Sequence, residues 1–563
     1  MDDKSKKDLQ EELEKLRRDG EERAAQRLAA DLKYQYFDIR NIPVSLDALK
    51  IIPKEDAYNA KIGAIQIKDK KIAVVVTDPN LDATKRELEN LKSKGYEVKI
   101  VIVSLSGLKS VLDYYKFIKK SEEDITGKIS VTEERFNSLI KSFIKIEDVN
   151  NELKKLNIPK TSPTIILEIL FAGAIALRSS DIHMEAEENG AKFRFRIDGL
   201  LHDIFNNYPP VQYENLLSHI KLLSGMKLNV HSEAQDGRFS MKLGVKEIEM
   251  RVSILPAEFG ETVVMRILDP SATMVGLPQL GLRDDDLEIV KRQLAKPNGL
   301  ILNTGPTGSG KTTTLYAFLR TMNNPEEKII TLEDPIEYKI EGIEQTQVND
   351  ETGYTFANGL RAIVRQDPDI ILVGEIRDLE TADIALQASL TGHLVLSTLH
   401  TNDAIGAVPR LINLGVKAVS IGPALSLVIA QRLVRVLCPY CKKPVEVDEN
   451  MKENIRKFLD RMPEKIQKQK YENYTIYEPV GCEKCNMMGY KGRIGAFEFL
   501  EGGEDIETSI LTDASEVSLR KIAKRQNMVK MQEDGILKVL LGITTFDEVE
   551  DATGIIDWTQ YNL

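Results

Sequence analysis

The chain has 563 residues, too many for one hydrophobic core, so several domains are expected. With 42% hydrophobic and 29% charged residues it has the composition of a soluble globular protein. The net charge of −11 argues against a nucleic-acid binder, which carries a basic excess on at least one domain. Met1–Lys33 is densely charged and lacks the apolar stretch of a signal peptide. The longest apolar run, Ala418–Ala430, contains Pro423 and is too short to span a bilayer. A cytoplasmic protein that meets a membrane only through partners is predicted.

In chain order, residues 1–33 read as a charged helical tail with Leu9, Leu13 and Leu16 on one face. Gly20 and the scarcity of apolar residues argue against a helix stable on its own. Residues 34–120 read as a small α/β domain. Its strands are Ile62–Ile67, Ile72–Val76 and Val98–Val103, with a turn at Asp78-Pro79 and a helix over Ala83–Lys94. The polar stretch 121–161 is a linker candidate. A second domain, 162–283, opens with the apolar helix Thr164–Arg178, continues through strand-rich stretches 191–205 and 239–268, and ends in a connection over Pro270–Arg283. The last α/β domain, 284–563, is interrupted by a cysteine-bearing insert over 438–500.

The chemistry is most legible at the start of that last domain. Asn298–Thr304 is an apolar strand, and Lys311–Met322 has the pattern of a helix. Between them lies Gly305-Pro306-Thr307-Gly308-Ser309-Gly310-Lys311-Thr312, followed by Thr313. This strand–loop–helix setting is what the phosphate-binding pattern G-x-x-x-x-G-K-[ST] requires. Glycines let backbone N–H groups turn inward around phosphate, the helix N-terminus favours negative charge, and Lys311 neutralises terminal phosphate oxygens. The Thr312 hydroxyl is the expected Mg²⁺ ligand. ATP with Mg²⁺ is the predicted substrate pair.

Three further apolar strands end in reactive residues. Lys328–Leu332 runs into Glu333 and Glu337, Asp369–Val373 into Glu375, and His393–Thr398 into His400. In an open parallel sheet the ligand crevice lies beyond the strands' carboxyl ends, so these groups are expected to converge on the phosphates. Glu375 reads as the acid that orients Mg²⁺ or its water, and Glu333 as the acid that positions or deprotonates the attacking water. His393 and His400 read equally well as site residues or as hydrogen-bonded core histidines. Arg361 and Arg365 share a helical face, Arg194 and Arg196 share a strand face, and Arg251 and Arg266 lie on later strands. Each could stabilise transition-state charge or form a surface ion pair.

All four cysteines fall in two C-x-x-C pairs, Cys438/Cys441 and Cys482/Cys485. Four thiolates close a tetrahedral site for which Zn²⁺ is the usual occupant, and they leave no open catalytic position. The long interval 442–480 then loops out as a helix-rich excursion.

Taken together, these segments resemble the secretion ATPases of the type II secretion and type IV pilus assembly group. The resemblance is carried by Arg178-Ser-Ser-Asp-Ile-His183, Phe193–Gly199, Gln235-Asp-Gly-Arg238, Gly305–Thr313, Thr331–Tyr338, Gly359–Asp369, Val373–Asp378, Thr391–Asn402 and Gln431-Arg-Leu-Val-Arg435. It implies a RecA-like P-loop ATPase domain, preceded by an α+β, PAS-like second domain and a small N-terminal α/β domain, with a four-cysteine zinc insert. It implies a homo-hexamer in which Arg251, Arg266, Arg361, Arg365 and Arg493 sense phosphate, and in which His393 and His400 join the site. Its expected partners are an integral inner-membrane platform protein and, through the N-terminal domain, a cytoplasmic anchor protein. The resemblance favours assembly of a pilus or secretion pseudopilus over pilus retraction. A RecA-like nucleic-acid motor and a catalytically silent ring are the readings from other classes.

Overall fold

A computed structural model describes residues 3–39, 44–68, 70–115, 128–130, 133–243, 246–268 and 275–561. It divides into two compact units, Met1–Leu268 and Asp269–Leu563.

The first unit contains two sheets. The smaller has four strands in the order Gln35–Tyr36, Glu97–Ile102, Lys71–Val76, Ile62–Lys68, and only the last pair is antiparallel. Its core is built from Ile62, Ala64, Val74, Val76 and Val101, with the helices Lys54–Ala60, Asp82–Ser93 and Leu105–Asp113 packed around them. The expected tail is a helix, Asp3–Asp31. Its second half is docked: Ala25 and Ala29 join this core, and Glu22 accepts hydrogen bonds from Tyr36 (2.6 Å) and Ser104 (2.8 Å). Tertiary burial supplies what the sparse apolar content of this helix cannot. The side chains of Leu9, Leu13 and Leu16 lie outside the described residues.

The larger sheet has seven strands, in the order Lys128–Ser130, Gln235–Leu243, Lys246–Ala257, Gly260–Leu268, Ser179–Glu187, Gly190–Ile197, Leu200–Tyr208. Apart from its first, parallel pair it is antiparallel. The alternation Ile182/Met184, Phe193/Phe195, Met250/Val252 and Val263/Met265 buries one face. The expected linker 121–161 is corrected in its described part. Strand 128–130 joins this sheet, and the helices Glu133–Ser142 and Ile146–Lys154 bury Phe136, Val149 and Leu153. Residues 121–127 and 131–132 lie outside the described residues.

The second unit is built on a seven-stranded sheet ordered Glu344–Gln347, Ile329–Glu333, Ile370–Val373, Leu394–Leu399, Gly299–Thr304, Leu425–Leu437, Tyr490–Glu501. The first six strands run parallel and the last is antiparallel. Its central strands are buried on both faces, and each face carries its own helical core. Two expectations need correction. Tyr490–Glu501 is a sheet strand paired with Leu425–Leu437, so the insert ends near Gly489 rather than at 500. Leu277 and Leu280, expected in a connection, are buried in the core of this unit.

This unit also holds a buried charge cluster. Arg283 contacts Asp285 (3.0 Å), Asp286 (2.6 Å) and Asp534 (2.8 Å), and Lys538 pairs with Asp534. Burial pushes the Asp286 carboxyl up to about 7. With Asp286 protonated, the two cations balance Asp285 and Asp534. An unfolded aspartate loses its proton near about pH 3.9. The wild type therefore loses stability as pH rises from there to about 7, and Asp286→Asn does not. Thermal melts should give a melting-temperature gain for Asp286→Asn that grows from pH 4 to 7 and is flat above. A pH-independent difference would contradict this.

Candidate nucleotide site and cysteine cluster

Strand Gly299–Thr304 delivers the loop Gly305–Gly310 to the carboxyl edge of the parallel sheet, and helix Lys311–Met322 leaves from it. Two glycines are required by one neighbour. A Cβ on Gly305, whose φ is +149°, would lie 2.5 Å from the Gln431 carbonyl oxygen. A Cβ on Gly310, at φ +90°, would lie 2.8 Å from Gln431 Nε2. Gln431 Oε1 also accepts from Asn303 Nδ2 (3.1 Å) and Thr314 Oγ1 (2.8 Å), tying the strand before the loop to the helix after it. Lys311 Nζ donates to the carbonyls of Gly305 (2.9 Å) and Pro306 (3.1 Å). Its pKa is lowered by burial, against the opposing pull of Glu375. Thr307, Gly308 and Thr312 are exposed, Thr313 is half-buried and Ser309 is buried.

The strand-end acids differ from one another. Glu375 stands beyond Val373, close to Arg377 and 3.4 Å from His400 Nε2, and its charge reaches Lys311. His400 follows Leu399, which pairs with Thr304 at the edge that carries the loop. Glu333, expected to stand over the crevice, is only 3% exposed. Its oxygens accept from Tyr316 on the loop's helix, from Thr331 (2.6 Å) and from Gln345 (3.2 Å). Burial pushes its pKa up against those three donors, and burial beside Glu333 pushes the Tyr316 phenol up as well. Its geometry is that of an acid bracing the helix rather than one open to water. Glu337 is half-buried in the following turn, with its backbone hydrogen-bonded to the Tyr316 hydroxyl.

His393 lies apart from the loop within this unit. It precedes Leu394, whose partner is Gly299, at the opposite end of the strands and roughly 17 Å from the loop by strand rise. Its Nδ1 lies 3.0 Å from the Ala388 carbonyl. Accordingly, His393→Ala should leave ATP turnover within about twofold of wild type, whereas His400→Ala should cost at least about tenfold. Equal losses in steady-state phosphate release would contradict the placement.

The four cysteine sulfurs lie within 4.8 Å of one another. Cys438–Cys482 is 3.9 Å, Cys441–Cys485 is 3.8 Å and Cys482–Cys485 is 3.8 Å. Zinc–sulfur bonds of about 2.3 Å in a tetrahedron give an edge of about 3.8 Å, so the donor set fits zinc. The backbone N–H groups of Cys482 and Gly489 each donate to Cys485 Sγ at 3.2 Å, as expected for a thiolate.

A family model described as "Type II/IV secretion system protein" matches residues 160–551. The type IV pilus assembly ATPase PilB of Myxococcus xanthus is 37% identical over 517 residues, 91% of this chain and 88% of its own. The type II secretion system ATPase E of Vibrio cholerae is 45% identical over 389 residues, 69% of this chain and 75% of its own. The chain belongs to this family of secretion and pilus-assembly ATPases. In fold it resembles the Legionella pneumophila ATPase DotB, with a TM-score of 0.50 at 23% identity over 69% of this chain and 95% of that one.

The arginines expected to matter in a secretion ATPase fall in both units. In the second, Arg361 is exposed and pairs with Glu380 and Asn358 (3.1 Å), and Arg365 is exposed at the end of the same helix. Arg493 is exposed and lies directly opposite Arg435, which donates to Glu548 (2.9 Å) and stacks on Tyr490. In the first unit, Arg251 and Arg266 face each other on adjacent strands, and Arg194 and Arg196 lie on the strand Gly190–Ile197. Sequence reasoning assigned no role to Tyr316, Gln345 or Gln431. Gln431 heads a motif quoted for the resemblance; the other two carry no spacing that would reveal them.

Proposed function

We propose that this chain is an ATP-hydrolysing, homo-hexameric motor with a RecA-like core and a PAS-like second domain, powering assembly of a type IV pilus or a type II secretion pseudopilus. The observation that carries the reading is the glycine loop held at the carboxyl edge of the sheet, with Lys311, Glu375 and His400 gathered around it. Backbone N–H groups of Gly305–Thr313 bind the phosphates, and Lys311 neutralises the terminal oxygens. Thr312 and Glu375 hold Mg²⁺, directly or through its water, and the ion supplies charge neutralisation for phosphoryl transfer. Glu375 and His400 orient the attacking water. Glu333, braced by Tyr316, keeps the loop's helix in register with the strand beside it.

Arg251, Arg266, Arg361, Arg365 and Arg493 take part in reading the γ-phosphate. A ligand drives a conformational switch only through differential contacts with two states. Losing the γ-phosphate removes such a contact. The ring sits on the cytoplasmic side of the inner membrane, docked to an integral platform protein and, through its N-terminal domain, to a cytoplasmic anchor. Among the described residues no helix is long and apolar enough to cross a membrane. Zinc at the four cysteines holds the excursion 442–481 in shape.

The test is phosphate release by the purified full chain with Mg²⁺ and ATP, alongside its native mass. Turnover above the protein-free blank and a six-fold assembly are expected. Turnover that appears only when DNA is added would overturn the reading.

A further inference from the structure

We propose that Asp181 is a positioning residue, whose buried carboxylate, itself held by Arg196, fixes Arg266 in the orientation in which it meets phosphate. The proposal rests on the reading above that Arg266 contacts the nucleotide.

The antiparallel register sets Arg238, Arg251, Arg266, Asp181 and Arg196 directly opposite one another on five consecutive strands. They share one face. The residues next to them, Phe239, Met250, Met265, Ile182 and Phe195, are buried on the other. Like charges directly opposite across strands repel, so a row of this kind is held together by anions. Within the row the one anion is Asp181. Its Oδ1 lies 2.9 Å from Arg266 Nε, its Oδ2 lies 3.4 Å from Arg196 Nε, and Ser180 Oγ donates to Oδ2 at 2.8 Å. Arg196 is further anchored to the Gly199 carbonyl at 3.1 Å. Burial strengthens this interaction, because the Asp181 side chain is 4% exposed while that of Arg266 is 55% exposed. A planar guanidinium gripped at Nε has a defined plane, and a positioned arginine acts at a transition state in a way that a swinging one does not.

The experiment is a double-mutant cycle on the full chain. Asp181→Asn keeps an acceptor but removes the charge, and the arginine heads can reach water, so the fold should survive. For Asp181→Asn the expected result is a roughly tenfold fall in kcat, with KM for ATP within about twofold. In an Arg266→Ala background the same change should alter kcat less than about twofold. Wild-type kcat in Asp181→Asn, or a tenfold loss that persists in the Arg266→Ala background, would overturn the proposal. Should Asp181→Asn melt early, Ser180→Ala carries the same cycle. It should lower kcat about twofold to threefold in the wild type and not at all without Arg266, and equal losses in both would overturn the proposal. If Arg266→Ala alone keeps wild-type turnover, it is the nucleotide reading of Arg266 that fails.

Discussion

Lys311→Ala should lower ATP turnover at least about 100-fold, the scale on which one preorganised charge-stabilising group acts. In the structure the ammonium is held by the carbonyls of Gly305 and Pro306 and feels the charge of Glu375. Burial alone disfavours its charge, so the loop carbonyls hold it ready for an anion. On the proposed reading, phosphate oxygens replace these carbonyl contacts when ATP occupies the loop. Alanine supplies no counter-charge there. It is also the best helix former at the first position of the helix, so the fold should be retained. Steady-state phosphate release checks the rate, and melting temperature checks the fold. Glu375→Ala should behave alike, because the acid and the lysine serve one phosphate site. A stable Lys311→Ala variant that hydrolyses ATP at the wild-type rate would sink the site assignment.

The second large effect concerns the cysteines. Cys482→Ser should lose the zinc proposed for the four thiolates and open the excursion 442–481 to protease. Structural zinc contributes roughly 10 kcal/mol or more of apparent binding free energy, which a small element cannot replace by packing. The excursion does have some packing. Phe458, Leu459, Tyr471 and Ile476 share a core with Leu537, Leu540 and Val549 from the C-terminal helices. Cleavage is therefore expected near the knuckles first, around Tyr440 and Met487, both exposed, before the helix Glu449–Arg461 is lost. Metal analysis and limited proteolysis read the two parts separately. Retention of zinc with wild-type protease resistance would contradict the four-thiolate site.

The parts legible in the sequence are those whose pattern is local. The phosphate loop, its helix Lys311–Met322 and the apolar strands around it follow from glycine spacing and continuous hydrophobic runs. The cysteine cluster follows from paired spacing. What was hidden depends on pairing across the chain. Ser179–Glu187 is a strand despite its polar residues, because Ile182 and Met184 alternate toward the core. Tyr490–Glu501 belongs to the sheet because it meets Leu425–Leu437, a partner far away in sequence. The two histidines illustrate the same limit. His393 and His400 flank one strand and read alike in sequence, but a six-residue strand puts them at opposite edges. The buried state of Glu333 likewise depends on Tyr316 and Gln345 arriving from other elements.

The central proposal is that Arg251 and Arg266 take part in reading the γ-phosphate. Equilibrium binding of a non-hydrolysable ATP analogue and of ADP, each with Mg²⁺, tests it most directly in the wild type and in the Arg251→Ala, Arg266→Ala double variant. The wild type should favour the triphosphate by about tenfold or more, since one charged contact of roughly 1.4 kcal/mol corresponds to that factor. The double variant should show that preference reduced by about tenfold, keeping only what Lys311 and the other arginines supply. A preference for the triphosphate that is unchanged by removal of both arginines would contradict the account.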